Sequence, residues 1–312
     1  MTLLYYDPIF LQHDTGRHPE CAQRLTTVVN HLQSTTLLQQ CAAIPWQAAT
    51  IDRLTAVHTA QHVSNIQRLA ESGGGQIDAD TVVSPSSYQA AAMAAGAVCD
   101  ATDRVIQGEH SQALLLVRPP GHHALANQAM GFCLFNSIAI ASQWAIAGHK
   151  LDRVLIVDWD VHHGNGTQAI FWNDPRVGFF SAHRWPFYPG TGTGDETGAG
   201  PGLGTTLNLP VSYGTSRKDY LSHFALELEK FADKIQPQLV MVSAGFDSHR
   251  TDPVGSLGLE SEDFRDLTRV VQEIAQTHAN GKIVSVLEGG YNPESLAECV
   301  TIHLEQLMTT VS

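Results

Sequence analysis

Five short runs of large and β-branched apolar residues restrict this chain more than any other feature: 113–117 (ALLLV), 153–157 (RVLIV), 177–181 (VGFFS), 239–243 (LVMVS) and 283–287 (IVSVL). Runs without polar alternation are strands buried on both faces. Their alternation with longer helical stretches is the pattern of a parallel sheet covered by helices, an α/β fold. Helices are expected near 19–33, 84–107, 134–147, 216–234, 261–280 and 292–309. Two of these carry start signals, Ser84 before Pro85 and Asn292 before Pro293. No repeat, low-complexity tract or linker interrupts the 312 residues, and 43% hydrophobic content can fill one large core, so 1–312 reads as a single domain.

Acidic residues outnumber basic ones, 31 against 18, and the formal net charge of -13 argues against a nucleic-acid partner. The five cysteines, Cys21, Cys41, Cys99, Cys133 and Cys299, are odd in number and form no CxxC pair, which speaks against a disulfide framework and a thiolate zinc site. The opening MTLLYYDPIF has neither a basic flank nor a long apolar core, and no stretch approaches the ~18 apolar residues of a membrane span. The expectation is a soluble cytoplasmic protein with no membrane partner. One segment, 184–205, is Gly-rich and aperiodic over about 22 residues, a length usual for functional loops. Its GTGTGDE lacks the Lys-Ser/Thr ending of a phosphate-binding loop.

In open parallel sheets, ligands bind beyond the carboxyl ends of the strands. Four runs end there in polar clusters: RPPGHHA (118–124), DWDVHHGNG (158–166), AGFDSH (244–249) and EGGY (288–291). In an extended strand Asp158, Asp160 and His162 share a face, opposite Trp159 and Val161. Two buried carboxylates and an imidazole are costly to desolvate unless a cation compensates them. Asp247 supplies a third ligand beside Asp160 and His162, leaving a position open for water, as a catalytic zinc site requires. Two carboxylates make the site oxygen-rich, so Fe²⁺ or Mn²⁺ could compete with Zn²⁺. The bland alternative makes these side chains helix caps, turn residues and a satisfied core histidine. His122 and His123, on a stiff Pro-Pro-Gly turn, are candidates to take a proton from water and return it to a leaving amine. Tyr291, placed freely by two glycines, could donate to a developing oxyanion.

Taken in order, RPPGHH, GFCLFNSIAIA, VLIVDWDVHHGNG, AGFDSHRTDPVGSLGL and LEGGYN resemble the histone deacetylase family. The likeness is closest to its class II branch with bacterial deacetylase-like amidohydrolases and acetylpolyamine amidohydrolases, and it covers Asp7 to Tyr291. The resemblance implies an arginase/deacetylase fold with a central, mainly parallel eight-stranded sheet, and removal of acetyl or other acyl groups from amines, acyl-lysine first among them. It implies Zn²⁺ on Asp160, His162 and Asp247, and His123 as general base and then acid. His122 would be cationic and paired with Asp158, and Tyr291 would polarise the carbonyl. Gly131, Phe132 and Tyr188 would line the substrate channel. Structural K⁺ would lie near Asp158, Asp160, His162, Ser181 and Ala182, with a second ion at the carbonyls of Phe171, Asp174 and Val177.

Two departures carry consequences. Asn165 stands where class I members have an aspartate beside the second histidine. It orients the ring without stabilising its charge, which predicts a lower pKa for His123. Tyr188 replaces a phenylalanine of one channel wall, which leaves substrate preference open. Three rival readings compete. A two-manganese ureohydrolase would need carboxylates where Gly164 and His249 stand. An acetylpolyamine hydrolase would want a rim carboxylate; Val254 occupies that expected position, although Asp80 offers charge from another loop. A non-catalytic, metal-stabilised interaction protein would lack part of the catalytic set, all of which is present. Association into a homo-oligomer is left open.

Overall fold

The order of the strands in space, which differs from their order in the chain, is what assembles the polar clusters. The computed structural model describes residues 2–309. Among the described residues the strands are β1 (Leu3–Tyr5), β2 (Ala42–Ala43), β3 (Gly75–Gln76), β4 (Val82–Val83), β5 (Gln112–Leu115), β6 (Val154–Asp158), β7 (Val177–Arg184), β8 (Thr206–Val211), β9 (Leu239–Ala244) and β10 (Ile283–Leu287). Eight form one sheet in the order β2-β1-β5-β10-β9-β6-β7-β8, and β3 pairs with β4 in a small hairpin. Every pairing in the large sheet is parallel. The four strands that end in polar clusters, β5, β10, β9 and β6, are consecutive at its centre. Every residue of β6, β9 and β10 is buried, as apolar runs without alternation require.

The helices are α1 (Ala22–Gln33), α2 (Ile51–Thr55), α3 (Ala60–Glu71), α4 (Ser87–Gln107), α5 (Ser137–His149), α6 (Asn165–Phe171), α7 (Arg217–Ile235), α8 (Asp263–Ala279) and α9 (Pro293–Leu307). They flank the sheet in two packed groups, α4 with α5, and α1, α9, α8 and α7 in succession. The alanines of α4 let neighbouring backbone come close: Ala49 N–H donates to Ala92 O at 2.8 Å, and a side-chain carbon at Gly96 would collide with the carbonyl of Gln47. Among the described residues no helix is long and apolar enough to cross a membrane.

Local details depart from the sequence reading at the start of α4 and in the strands it omits. Helix α4 begins at Ser87 after Ser86, not at Ser84–Pro85. The Ser84 hydroxyl instead accepts from Asp14 N–H at 3.0 Å and meets the hydroxyl of Ser87, the first helical residue, at 2.9 Å. The long loop expected at 184–205 is present: β7 ends at Arg184 and β8 begins at Thr206, and between them only a 3-10 turn at Gly200–Gly202 is regular. Strands β1, β2 and β8 escape a reading by apolar runs: two are very short, and β8 alternates in burial and contains Pro210, which an edge strand tolerates. The start at Asn292–Pro293 is as expected, with the Asn292 side chain accepting from Ser295 N–H.

Candidate active site

β6 ends at Asp158, so Asp160 and His162 stand in the bend beyond it and not on a shared strand face as extended alternation implies, and they lie beside Asp247, which follows β9. The Asp160 Oδ1 accepts from the backbone N–H of His162 at 2.9 Å, and its Oδ2 accepts from Gly289 N–H at 2.8 Å. Asp247 Oδ1 accepts from Val161 N–H at 2.9 Å. Backbone donors therefore aim both carboxylates. His162 Nδ1 lies 3.0 Å from Asp160 Oδ1 and 3.1 Å from Asp247 Oδ2. One ring nitrogen carries at most one proton, so it cannot satisfy two carboxylates, and Asp247 Oδ2 is indeed buried without a hydrogen-bond partner. Burial and the Asp160 carboxylate push Asp247 up to about 7. An orphaned oxygen, a crowded ring nitrogen and a second carboxylate make a donor set that fits a divalent cation. The three groups offer ligand atoms all within 4.8 Å of one another, the one such cluster among the described residues. Gly289 and Gly245 leave the room this needs, since a side-chain carbon at either would run into these carboxylates.

The tandem histidines stand over this cluster with ring centroids 4.0 Å apart. His122 Nδ1 is 2.9 Å from Asp158 Oδ2. Burial opposes a charge on His122, but Asp158 and Asp160 outweigh it and hold its pKa well above the ordinary imidazole range. His123 Nδ1 is 2.7 Å from Asn165 Oδ1, a neutral partner. Burial, followed by the charges of His122 and His162, holds His123 well below that range. Adjacent rings thus differ, His122 favouring the cation and His123 the neutral imidazole.

A cavity of ≈ 220 Å³ leads to these groups, lined by Asp80, His123, Gly131, Phe132, His162, Phe187, Tyr188, Val254 and Tyr291. Gly131, Phe132 and Tyr188, expected along the channel, and Val254 and Asp80, weighed at its rim, are all in that lining. Gly131 has a positive φ of 54°, and a side-chain carbon there would meet the His123 ring at 2.5 Å, so only glycine lets this loop pass. Tyr291 crosses the Phe132 ring edge-on at 5.6 Å between centroids, and its N–H donates to Asp252 Oδ2 at 2.6 Å.

Three features have no counterpart in the sequence reading. Phe187 stacks on His162, 5.2 Å between centroids and 16° between planes. Glu288 is buried and accepts from Gly121 N–H at 2.6 Å and His122 N–H at 3.2 Å, tying the histidine loop to the tyrosine loop. Arg24 donates to the carbonyls of Glu288 and Gly290 and lies over the Tyr291 ring, while Arg118 and Arg24 share the fully buried Glu20. Polar clusters at strand ends give no sign of Arg24 and Glu20, which sit in an ordinary amphipathic stretch; the carbonyls that Arg24 reaches are 264 and 266 residues away.

Of the rival ligands, Gly164 faces Asp158 so closely that any side chain would strike that carboxylate. His249 is turned to Thr251 Oγ1 at 3.0 Å and Ser261 Oγ at 3.4 Å. Ser181 stands opposite Asp158 in the β6–β7 register, with Ala182 next to it. The carbonyls of Phe171 and Asp174 receive the N–H groups of Asp174 and Val177, at 3.0 and 3.5 Å.

Residues 18–307 match the histone deacetylase domain model. The chain is 35% identical to the histone deacetylase-like amidohydrolase of Pseudomonas aeruginosa, over 98% of its own length and 86% of that protein. It is 39% identical to the polyamine deacetylase HDAC10 of Homo sapiens, over 98% of its length but 48% of the human protein. The crystal structure of the HDA15 HD domain superposes with a TM-score of 0.92 at 35% identity, covering 98% of this chain and 88% of that one.

Proposed function

Because the chain belongs to the histone deacetylase family, and so is a hydrolase that removes acyl groups from acylated amines, we propose that its substrate is an N-acyl-lysine side chain, hydrolysed at Asp160, His162 and Asp247 with His123 as the proton-handling group and Tyr291 polarising the carbonyl. The observation that carries this reading is the convergence of those three ligand groups, one of which, His162, lines the same cavity as His123 and Tyr291.

Asp160, His162 and Asp247 would hold a divalent ion, Zn²⁺ by the family's expectation with Fe²⁺ or Mn²⁺ compatible with two carboxylates, which would supply Lewis acidity toward the carbonyl and the attacking water. The protein's own groups do the rest. Asn165 Oδ1 accepts from His123 Nδ1–H, which leaves Nε2 as the basic nitrogen facing the cavity, ready to take the proton of the attacking water and pass it to the amine. His122, held cationic by Asp158, favours negative charge nearby without exchanging its own proton. The Tyr291 hydroxyl donates to the acyl oxygen as it gains charge. Phe132, Phe187 and Tyr188 exclude water from the aliphatic stem. The family's K⁺ would sit between β6 and β7 at Asp158, Asp160, His162, Ser181 and Ala182.

The preference for lysine over a free polyamine rests on Val254, an apolar residue in the cavity lining where a cationic tail would call for a carboxylate. Comparing kcat/KM on an acetyl-lysine peptide and on acetylspermidine tests it. At least about tenfold preference for the peptide is expected, the scale of roughly 1.4 kcal/mol. A preference for the polyamine overturns the assignment, with Asp80 then the charge that recruits it.

A further inference from the structure

At the last residue of β7, Arg184 joins parts of the channel that are far apart in sequence. Its guanidinium carbon lies 4.2 Å from the centroid of the Phe187 ring and 4.5 Å from that of Tyr213. The same head donates through Nη1 to the carbonyls of Gly255, at 3.0 Å, and Ser256, at 3.4 Å. Its backbone N–H is fixed to Val161 O at 2.9 Å, one residue from His162. Among the described residues no carboxylate forms an ion pair with it, so in a chain of net charge -13 this cation is committed to rings and carbonyls. Phe187 lines the cavity and stacks on His162, and Val254, just before Gly255, lines it too.

We infer that Arg184 is the positioning residue that sets the spacing between the Phe187 and Val254 walls, and so selects a slender, unbranched amine stem. The inference rests on the acyl-lysine reading. A peptide is too large to enter a 220 Å³ cavity, so its lysine stem must pass between these walls. The planar head is needed for this: one face or edge can cover aromatic rings while the N–H fork reaches carbonyls in the same plane, which an ammonium cannot do. The 254–256 loop is held on its N–H side, where Asp252 Oδ1 accepts from Val254 and Gly255 at 2.9 Å and Asp247 O accepts from Ser256 at 2.7 Å, and Arg184 is the tie on its carbonyl side; two features show how narrowly its path is set. Ser256 has a positive φ of 65°, unfavourable for a residue with a side chain, and Gly255 is pressed so closely to the Asp247 carbonyl that no side chain fits. Tyr213, 69% exposed, covers the guanidinium from the solvent side.

The test compares wild type with R184A, R184K and Y213A on two peptides, one with acetyl-lysine and one with acetylated 4-(aminomethyl)phenylalanine, whose stem is wider and stiff. For R184A on acetyl-lysine, KM is expected to rise about 5- to 30-fold with kcat changed less than about threefold, the scale of one lost cation–π and carbonyl contact. The ratio of kcat/KM between the two peptides should shift at least about fivefold toward the wide stem, R184K should recover less than about half of the loss, and Y213A should show the same pattern weakened. Unchanged KM and unchanged stem preference in R184A overturn the inference, as does a loss confined to kcat. Hydrogen exchange on the same proteins reads the tie without turnover: amides of 254–258 should exchange at least about tenfold faster in R184A while β9 and β10 stay protected. If wild type cleaves neither peptide, the acyl-lysine reading fails while the exchange result still decides the tie; unchanged exchange rejects it.

Discussion

Asn165 Oδ1 faces His123 Nδ1 at 2.7 Å, whereas the neighbouring ring of His122 faces a carboxylate, Asp158, at 2.9 Å. Two adjacent buried imidazoles so paired resist carrying charge together, and the unequal partners place the charge on His122.

Replacing Asn165 with Asp puts an anion beside His123 and favours its protonated form. The acid limb of the pH–kcat/KM profile, which reports protonation of the base, should move to higher pH, so that activity at about pH 6 drops while the plateau at higher pH is retained. A profile superimposable on wild type would show that His123 is not the group titrating there.

Tyr291→Phe keeps the ring packed on Phe132 and under Arg24 but deletes the hydroxyl. We expect kcat to fall by about 10²–10³ with KM changed little, the cost of one oxyanion donor, and a melting temperature close to wild type. A fall in kcat of less than about tenfold would remove Tyr291 from the reaction.

Chelation should abolish turnover, and one equivalent of a divalent metal per chain should restore it. Asp247→Asn, which weakens a ligand whose Oδ2 has no other partner, should lower metal affinity by at least about tenfold. Elemental analysis returning two ions per active chain would contradict the three-ligand centre.

Gly289→Ala tests the cradle from another side. The added carbon enters the space of the Asp160 and Asp247 carboxylates, and Asp160 already depends on Gly289 N–H. The expected result is loss of metal and of activity with a destabilisation of about 1–3 kcal/mol, seen by metal content and denaturant melts.

Acid stability should be limited in part by His58. Its Nδ1 is 2.9 Å from Leu125 O, its Nε2 accepts Asn136 N–H at 2.9 Å, and burial pushes its pKa down to about 4. The folded state therefore favours neutral His58, while the unfolded chain binds a proton near pH 6.5. Stability from this group is fully present above about pH 6.5 and is lost as pH falls from there toward about 4, by up to roughly 3 kcal/mol. Urea melts of wild type and His58→Gln at about pH 7.5 and about pH 5 check it: the variant should be less stable at the higher pH and show a shallower loss on acidification.

Residues 113–117, 153–157, 239–243 and 283–287 were legible as buried strands because a strand covered on both faces must be apolar throughout. The cluster after each was legible as chemistry because polar groups at the edge of such a strand need a partner to offset their burial. Asp160, His162 and Asp247 converge as those patterns imply, and Gly131, Phe132, Tyr188, Val254 and Asp80 share the cavity. Tertiary structure alone decided that β10 enters between β5 and β9, which brings Tyr291 to the histidines and lets Glu288 bind the loop of Gly121. It alone put Arg24 over Tyr291, Phe187 on His162, and Arg184 against the loop after Val254. Local periodicity records how a residue meets its own strand or helix. Which distant loop a guanidinium or a ring will touch is set by packing among elements far apart in the chain, 71 residues for Arg184 and 266 for Arg24, and leaves no mark on the spacing of the sequence.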